Sequence, residues 1–98
     1  MPLKDDLRVL LRAADATPGQ PKYRRLAKGL TVAVRTNGDL IDLQLARVKV
    51  YPSAGEWKTV LNCWPEQASV EKEPKQVEKN GTFYLLGKLR RTPNLITA

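Results

Sequence analysis

The chain contains no histidine and a single cysteine, Cys63. Without histidine the Ser-His and Cys-His nucleophile pairs, the usual proton shuttle and the commonest metal ligand are all missing. One thiol cannot build a cysteine-rich zinc or iron–sulfur site, so neither a metal nor any other cofactor is expected. Cys63 reads as a small packed hydrophobe rather than a reactive group. Paired carboxylates, Asp39 with Asp42 or Glu71 with Glu73, are the one remaining catalytic device. They lie beside a turn and in a charged stretch, where such residues ordinarily solvate the chain. No Gly-rich phosphate cradle of either common spacing is present. The expectation is a protein that binds and does not catalyse.

Cations interleaved with aromatic rings supply a binding chemistry. Lys and Arg total 17 against 10 Asp and Glu, a net charge of +7. Residues 16 to 38 hold Lys22, Arg24, Arg25, Lys28 and Arg35 with no acid, and the stretch after Glu78 holds Lys79, Lys88, Arg90 and Arg91 with none. Such runs attract polyanions. Arg47, Lys49, Tyr51 and Lys58, with Trp64 beyond them, alternate charge and ring as an unpaired nucleic-acid strand requires, because phosphates need cations and bases need flat partners. The candidate nucleic-acid-binding residues are therefore Arg24, Arg25, Lys28, Arg47, Lys49, Tyr51, Lys58, Trp64, Lys88, Arg90 and Arg91, with Trp57 assigned to the core. Single-stranded DNA or RNA is the preferred partner. The alternative is a non-catalytic adaptor or small inhibitor that docks its basic face on an acidic protein, or a homo-oligomer.

Ninety-eight residues allow one domain, 1–98. No run approaches a membrane span, no apolar stretch resembles a secretion signal, and the lone cysteine suits a reducing cytoplasm.

The elements that must position these residues can be read from periodicity. Leu3, Leu7, Leu10, Leu11 and Ala14 share one face of a helix over 3–14, with Lys4, Arg8 and Arg12 outside. Thr17 to Pro21 is a loop. Pro21 to Lys28 reads as a second short helix halted by Gly29. A helix-turn-helix is rejected because β-branched residues follow. Leu30, Val32 and Val34 alternate as a strand, and Asn37-Gly38 marks a type I′ hairpin turn. The next strand runs from Asp39 to Tyr51, with Ile41, Leu43 and Leu45 inward and a bulge near Ala46 where Val48 and Val50 change phase. After a turn at Pro52 to Gly55, Glu56 to Trp64 reads as a third strand, placing Lys49 opposite Lys58 and Val50 opposite Trp57. Residues 65–76 read as an exposed charged loop. Val77 to Lys79 and Thr82 to Arg90 flank Asn80-Gly81 as a closing hairpin that buries Phe83, Leu85 and Leu89. Residues 92–98 form a tail.

The class expected is α+β: an N-terminal helix, or two short ones, followed by about five antiparallel strands in a small, strongly bent sheet or partly open barrel. That order is similar to small five-stranded barrels of the Sm-like and SH3-like kind and, less closely, of the OB-like kind. Lys28 to Val34 followed by Asn37-Gly38 resembles the opening strands of Sm-like proteins. The Asp and Asn that family carries late in its second and third strands, and its closing Arg-Gly, are absent, so no membership follows.

Overall fold

The computed structural model describes residues 2–26 and 29–92. Helix α1 spans Pro2–Ala16 and buries Leu7, Leu10, Leu11 and Ala14, the face its spacing predicts. The helix stops where Thr17 returns its amide to Ala14 O (3.2 Å) and its hydroxyl to Ala13 O (3.2 Å).

Five strands follow in one sheet: β1 Lys22–Arg25, β2 Thr31–Asn37, β3 Leu40–Arg47, β4 Ala68–Lys79 and β5 Thr82–Arg91. Every neighbouring pair is antiparallel, in the order β1-β2-β3-β5-β4. The sheet is open, with β1 and β4 at its edges. The α+β class and the antiparallel strands agree with the sequence reading, and the elements between them differ in four places.

The first difference is Pro21 to Lys28. The helix expected there is replaced by β1, and Lys28 lies outside the described residues. Lys22-Tyr23-Arg24-Arg25 has no apolar face to hold a helix against the core. Its backbone instead satisfies the edge of β2, with Tyr23 opposite Ala33 and Arg25 opposite Thr31. The Leu26 amide closes the connection on Leu30 O (2.6 Å), and Gly29 takes a positive φ of 74°, a conformation that turns a hairpin as readily as it ends a helix.

The second difference is the first long hairpin. Asn37 pairs with Leu40, so the two turn residues are Gly38 and Asp39, and only Gly38 has positive φ (64°). That is the type II′ pattern rather than I′. The strand β3 then runs in unbroken register to Arg47 and stops, without the expected bulge near Ala46.

Third, Glu56 to Trp64 is not a strand. Helix α2 spans Ala54–Asn62, capped by Ser53. Ser53 Oγ accepts from the Glu56 amide (3.1 Å) while the Ser53 amide donates to Glu56 Oε2 (3.2 Å), a complete capping box. Trp57, Val60, Leu61 and Trp64 fall at helical spacing and pack into the core. The pairings of Lys49 with Lys58 and Val50 with Trp57 therefore do not exist.

Fourth, the expected loop 65–76 is exposed but from Ala68 onward forms β4, paired to β5 through two irregularities in register. The Asn80-Gly81 turn is as read, with both residues at positive φ, 52° and 75°.

Both helices lie on one side of the sheet. Val32, Val34, Ile41, Leu43, Leu45, Leu85 and Leu89 project toward them and are nearly or wholly inaccessible. Within this inward row Gly87 stands opposite Leu43, and the Trp57 indole occupies the room left by its missing side chain. A Cβ at residue 87 would overlap Trp57 Cη2 and Cζ2. We expect Gly87→Ala to destabilise the chain by about 2 kcal/mol or more through overpacking, and Ser53→Ala by about 1 kcal/mol through the lost cap. Urea melts of the two variants check both values, and a neutral Gly87→Ala would contradict this packing.

Candidate nucleic-acid interface

Directly paired residues in an antiparallel sheet point to the same face, so the register fixes what lies on the side away from the helices. Four rows cross it. Asn37, Leu40, Arg90 and Ser69 form the first, and Arg35, Asp42, Lys88 and Lys72 the second. Tyr23, Ala33, Gln44, Leu86 and Lys75 form the third, and Arg25, Thr31, Ala46, Tyr84 and Val77 the fourth, with Thr82 and Lys79 beyond. No element covers this face among the described residues.

Its charge is cationic. Arg25, Arg35, Lys72, Lys75, Lys79, Lys88 and Arg90 stand there against Asp42 and Glu71. Asp42 receives Arg35 at 2.6 Å and Lys88 at 3.7 Å, and Glu71 is gripped by Arg90 at 2.8 and 3.1 Å. Hydrogen bonding from Arg90, reinforced by its charge, holds the Glu71 carboxyl below the ordinary carboxylate value. Lys72, Lys75, Lys79 and Arg25 make no ion pair among the described residues.

Two rings share the face. Tyr23 is 63% exposed on β1 and Tyr84 is half-buried on β5. They lie three strand spacings apart across the sheet, about 14 Å, and one row apart along it, about 7 Å. Between them Thr31, Ala33, Gln44 and Ala46 keep the surface low enough for a chain to lie flat across it. Shallow depressions open on either side. One of about 190 Å³ is lined by Pro21, Tyr23, Ala33, Arg35, Asp42 and Gln44, and one of about 360 Å³ by Lys72, Lys75, Lys88, Val77, Leu86 and their neighbours.

The residues expected from sequence divide into three groups. Arg25, Lys88 and Arg90 are on this open face. Arg24 and Arg91 are spoken for on the helix side. Arg24 meets Asp6 of α1 at 2.9 Å, and Arg91 bridges Asp15 and Glu66 at 2.7 Å each, tying α1 to the sheet end. Burial is the largest influence on the Arg91 guanidinium and pulls its pKa down, but its hydrogen bonds to Asp15 and Glu66 outweigh it and the net shift is upward.

The third group surrounds α2. Arg47 pairs with Glu56, and its Nε is buried without a partner. Tyr51 packs edge-on against Phe83 at 4.4 Å between centroids. Trp64, only 9% exposed, belongs to the core instead of the exposed platform expected from sequence. Lys58 is exposed on α2. Lys49 joins Arg25 and Arg47 around a depression of about 420 Å³ at the end of the sheet.

Tyr23, Tyr84, Arg35, Lys72, Lys75 and Lys79 were not among the candidates. Tyr23 was hidden by the helical reading of its segment, and Lys72 and Lys75 by the loop reading. Among the described residues no group of three acidic, cysteine or histidine side chains could hold a metal ion, and no helix is long and apolar enough to cross a membrane. Compared with known proteins, the chain matches no family model, no curated protein and no solved structure.

The Glu71–Arg90 pair gives a titration test. A carboxyl whose folded pKa is depressed stabilises the fold above its unfolded pKa, and that contribution is lost as pH falls through the folded value. Carboxyl-detected NMR should find Glu71 titrating below the other exposed glutamates, and Arg90→Gln should return it to their range. An unchanged Glu71 in that variant would remove the pair from this face.

Proposed function

We propose that this protein is a non-catalytic module that binds single-stranded nucleic acid across the open face of its sheet. The observation that carries the reading is the coincidence of Tyr23, Tyr84 and a cationic field on the one face that both helices leave bare. Bases stack on the rings, phosphates meet Arg25, Arg35 and the lysines of β4 and β5, and the small residues between the rings give the strand its path. Each stacked base contributes about 1 to 3 kcal/mol, and Arg25, Lys72, Lys75 and Lys79, which make no ion pair among the described residues, are available to a polyanion. A cytoplasmic setting, where Cys63 remains a thiol, suits this role.

Docking on an acidic protein is the second reading. It is favoured by the segment after β3, where exposed Val48 and Val50 flank Lys49. It places binding at the sheet end near α2, so mutations there distinguish it from binding on the open face.

Fluorescence anisotropy with labelled oligonucleotides tests the proposal. Single strands should bind at low salt with a log–log slope of about −0.7 for each phosphate neutralised. Tyr23→Ala should weaken binding by about 1 to 3 kcal/mol without lowering the melting temperature, because Tyr23 is exposed and outside the core. Tyr84→Ala should act in the same direction. Absence of binding at low salt, or full affinity in Tyr23→Ala, would defeat the reading. Loss of a protein partner on Val50→Glu with oligonucleotide binding absent would favour the second.

A further inference from the structure

Strand β4 departs from simple alternation, and the departure changes which side chains reach the open face. Val70 stands opposite Leu89, on the helix side, and in a regular strand Lys72 would follow it there. One residue of β5 instead passes for two of β4, so that Lys72 falls opposite Lys88 on the open face. A second irregularity before Lys75, opposite Leu86, restores the original parity, and Val77 and Lys79 continue on the open face as they would have without either shift. The net effect of the two bulges is to bring Lys72 across the sheet. Bulges re-aim side chains in this way at a cost to the ladder.

Lys72 arrives beside Lys75 and Lys88 around the depression of about 360 Å³ floored by Leu86 and Gly87. The sole carboxylate lining it, Asp42, is already held by Arg35 through two hydrogen bonds, at 2.6 and 3.0 Å. Lysine ammonium groups are point charges with rotatable donors, suited to phosphate oxygens met in varied orientations. Successive rows on one face are about 7 Å apart, so neighbouring phosphates of an extended strand can each meet a lysine.

We propose that Lys72, Lys75 and Lys88 form the seat for consecutive phosphodiester groups of the bound strand where its path across the sheet passes Tyr84 and reaches β4. This rests on the reading of the open face as a single-strand site and adds the placement of the backbone on it. At β4 the contacts are to phosphates and not to bases, so recognition there is blind to base identity.

The test is a variant of unchanged composition, Lys72→Glu with Glu73→Lys, which moves one positive charge from the position opposite Lys88 into the unpaired bulge. Two probes are titrated over a salt series: a single-stranded oligonucleotide and an abasic phosphodiester strand of equal length. The swap should weaken both by about fivefold or more and reduce the slope by about 0.7 for each phosphate no longer neutralised. Tyr84→Ala should weaken only the base-bearing strand and leave the slope unchanged. Should the swap lower the melting temperature, Lys75→Gln gives the same reading at an exposed position outside the core. Full affinity and slope in these lysine variants, alongside weakened binding in Tyr23→Ala, would overturn the phosphate seat and leave the single-strand reading standing. Unchanged binding with new self-association of the swapped chain would overturn it too, assigning the bulges to protection of the sheet edge. Failure of wild-type protein to bind either probe would remove both proposals.

Discussion

The Trp57 indole lying over Gly87 decides how this small chain closes its core. A five-stranded sheet has two faces, and the described residues supply two helices to cover them. Helix α1 covers β1 and β2. At β5 the inward face is met by α2, whose Trp57 lies over Gly87 and joins the core with Val60 and the following Trp64. A side chain at residue 87 would lift that helix away. With both helices committed to one side, the opposite face must remain compatible with water, and its sequence answers that need with arginine and lysine rows, small residues and tyrosines that keep one polar end. The cationic open face is therefore a consequence of how the core is closed as well as the candidate binding surface. Solvation explains the charges, but it does not explain a 63%-exposed tyrosine or the lysine brought across by the bulges.

The edges of the sheet follow from the same shortage of covering elements. Strand β4 is long, exposed and unpaired along one side, the situation that invites chain-to-chain pairing. Its sequence carries Glu71, Lys72, Glu73, Pro74 and Lys75 where β5 is central and apolar. Proline removes a donor, charges oppose a second strand, and the two irregularities twist the edge. These devices oppose pairing of β4 with a second chain. At the other edge β1 has four residues, too few to template an extended partner.

How much of this could be read from the sequence depended on whether a segment's pattern admitted one interpretation. Leu7, Leu10, Leu11 and Ala14 fit only a helix, and Val32, Val34, Ile41, Leu43 and Leu45 fit only strands, so the core was legible. Asn80-Gly81 gave its turn directly. Trp57, Val60, Leu61 and Trp64 also carried a helical period, and Ser53 with Glu56 a capping signature. Both were legible, but the preceding run of Val48, Val50 and Tyr51 invited continuation in period two. The strand at Lys22 to Arg25 was not legible, because four residues with one aromatic have no period of their own and take their conformation from the edge of β2. The same holds for β4. Its alternation is broken by the bulges, and what makes it a strand is the row of backbone groups offered by β5.

The site was legible to the extent that it depends on charge and obscured to the extent that it depends on register. Arg25, Lys88 and Arg90 were found because they lie in runs without acids. Arg91 and Arg24 lie in the same runs and are occupied by Asp15, Glu66 and Asp6, acids remote in sequence that only the packing of α1 brings near. Net charge thus counts cations that tertiary ion pairs have already engaged. What remains free is set by which face each residue occupies, and a single inserted residue reverses that along a strand. Lys72 is the clearest instance: its type suggests a solvated surface charge, its neighbours suggest a loop, and only the shift of register between Val70 and Lys72 sets it beside Lys88. The unit proposed to recognise a phosphate chain is accordingly an arrangement of strands, built from common residues whose rows are set by register.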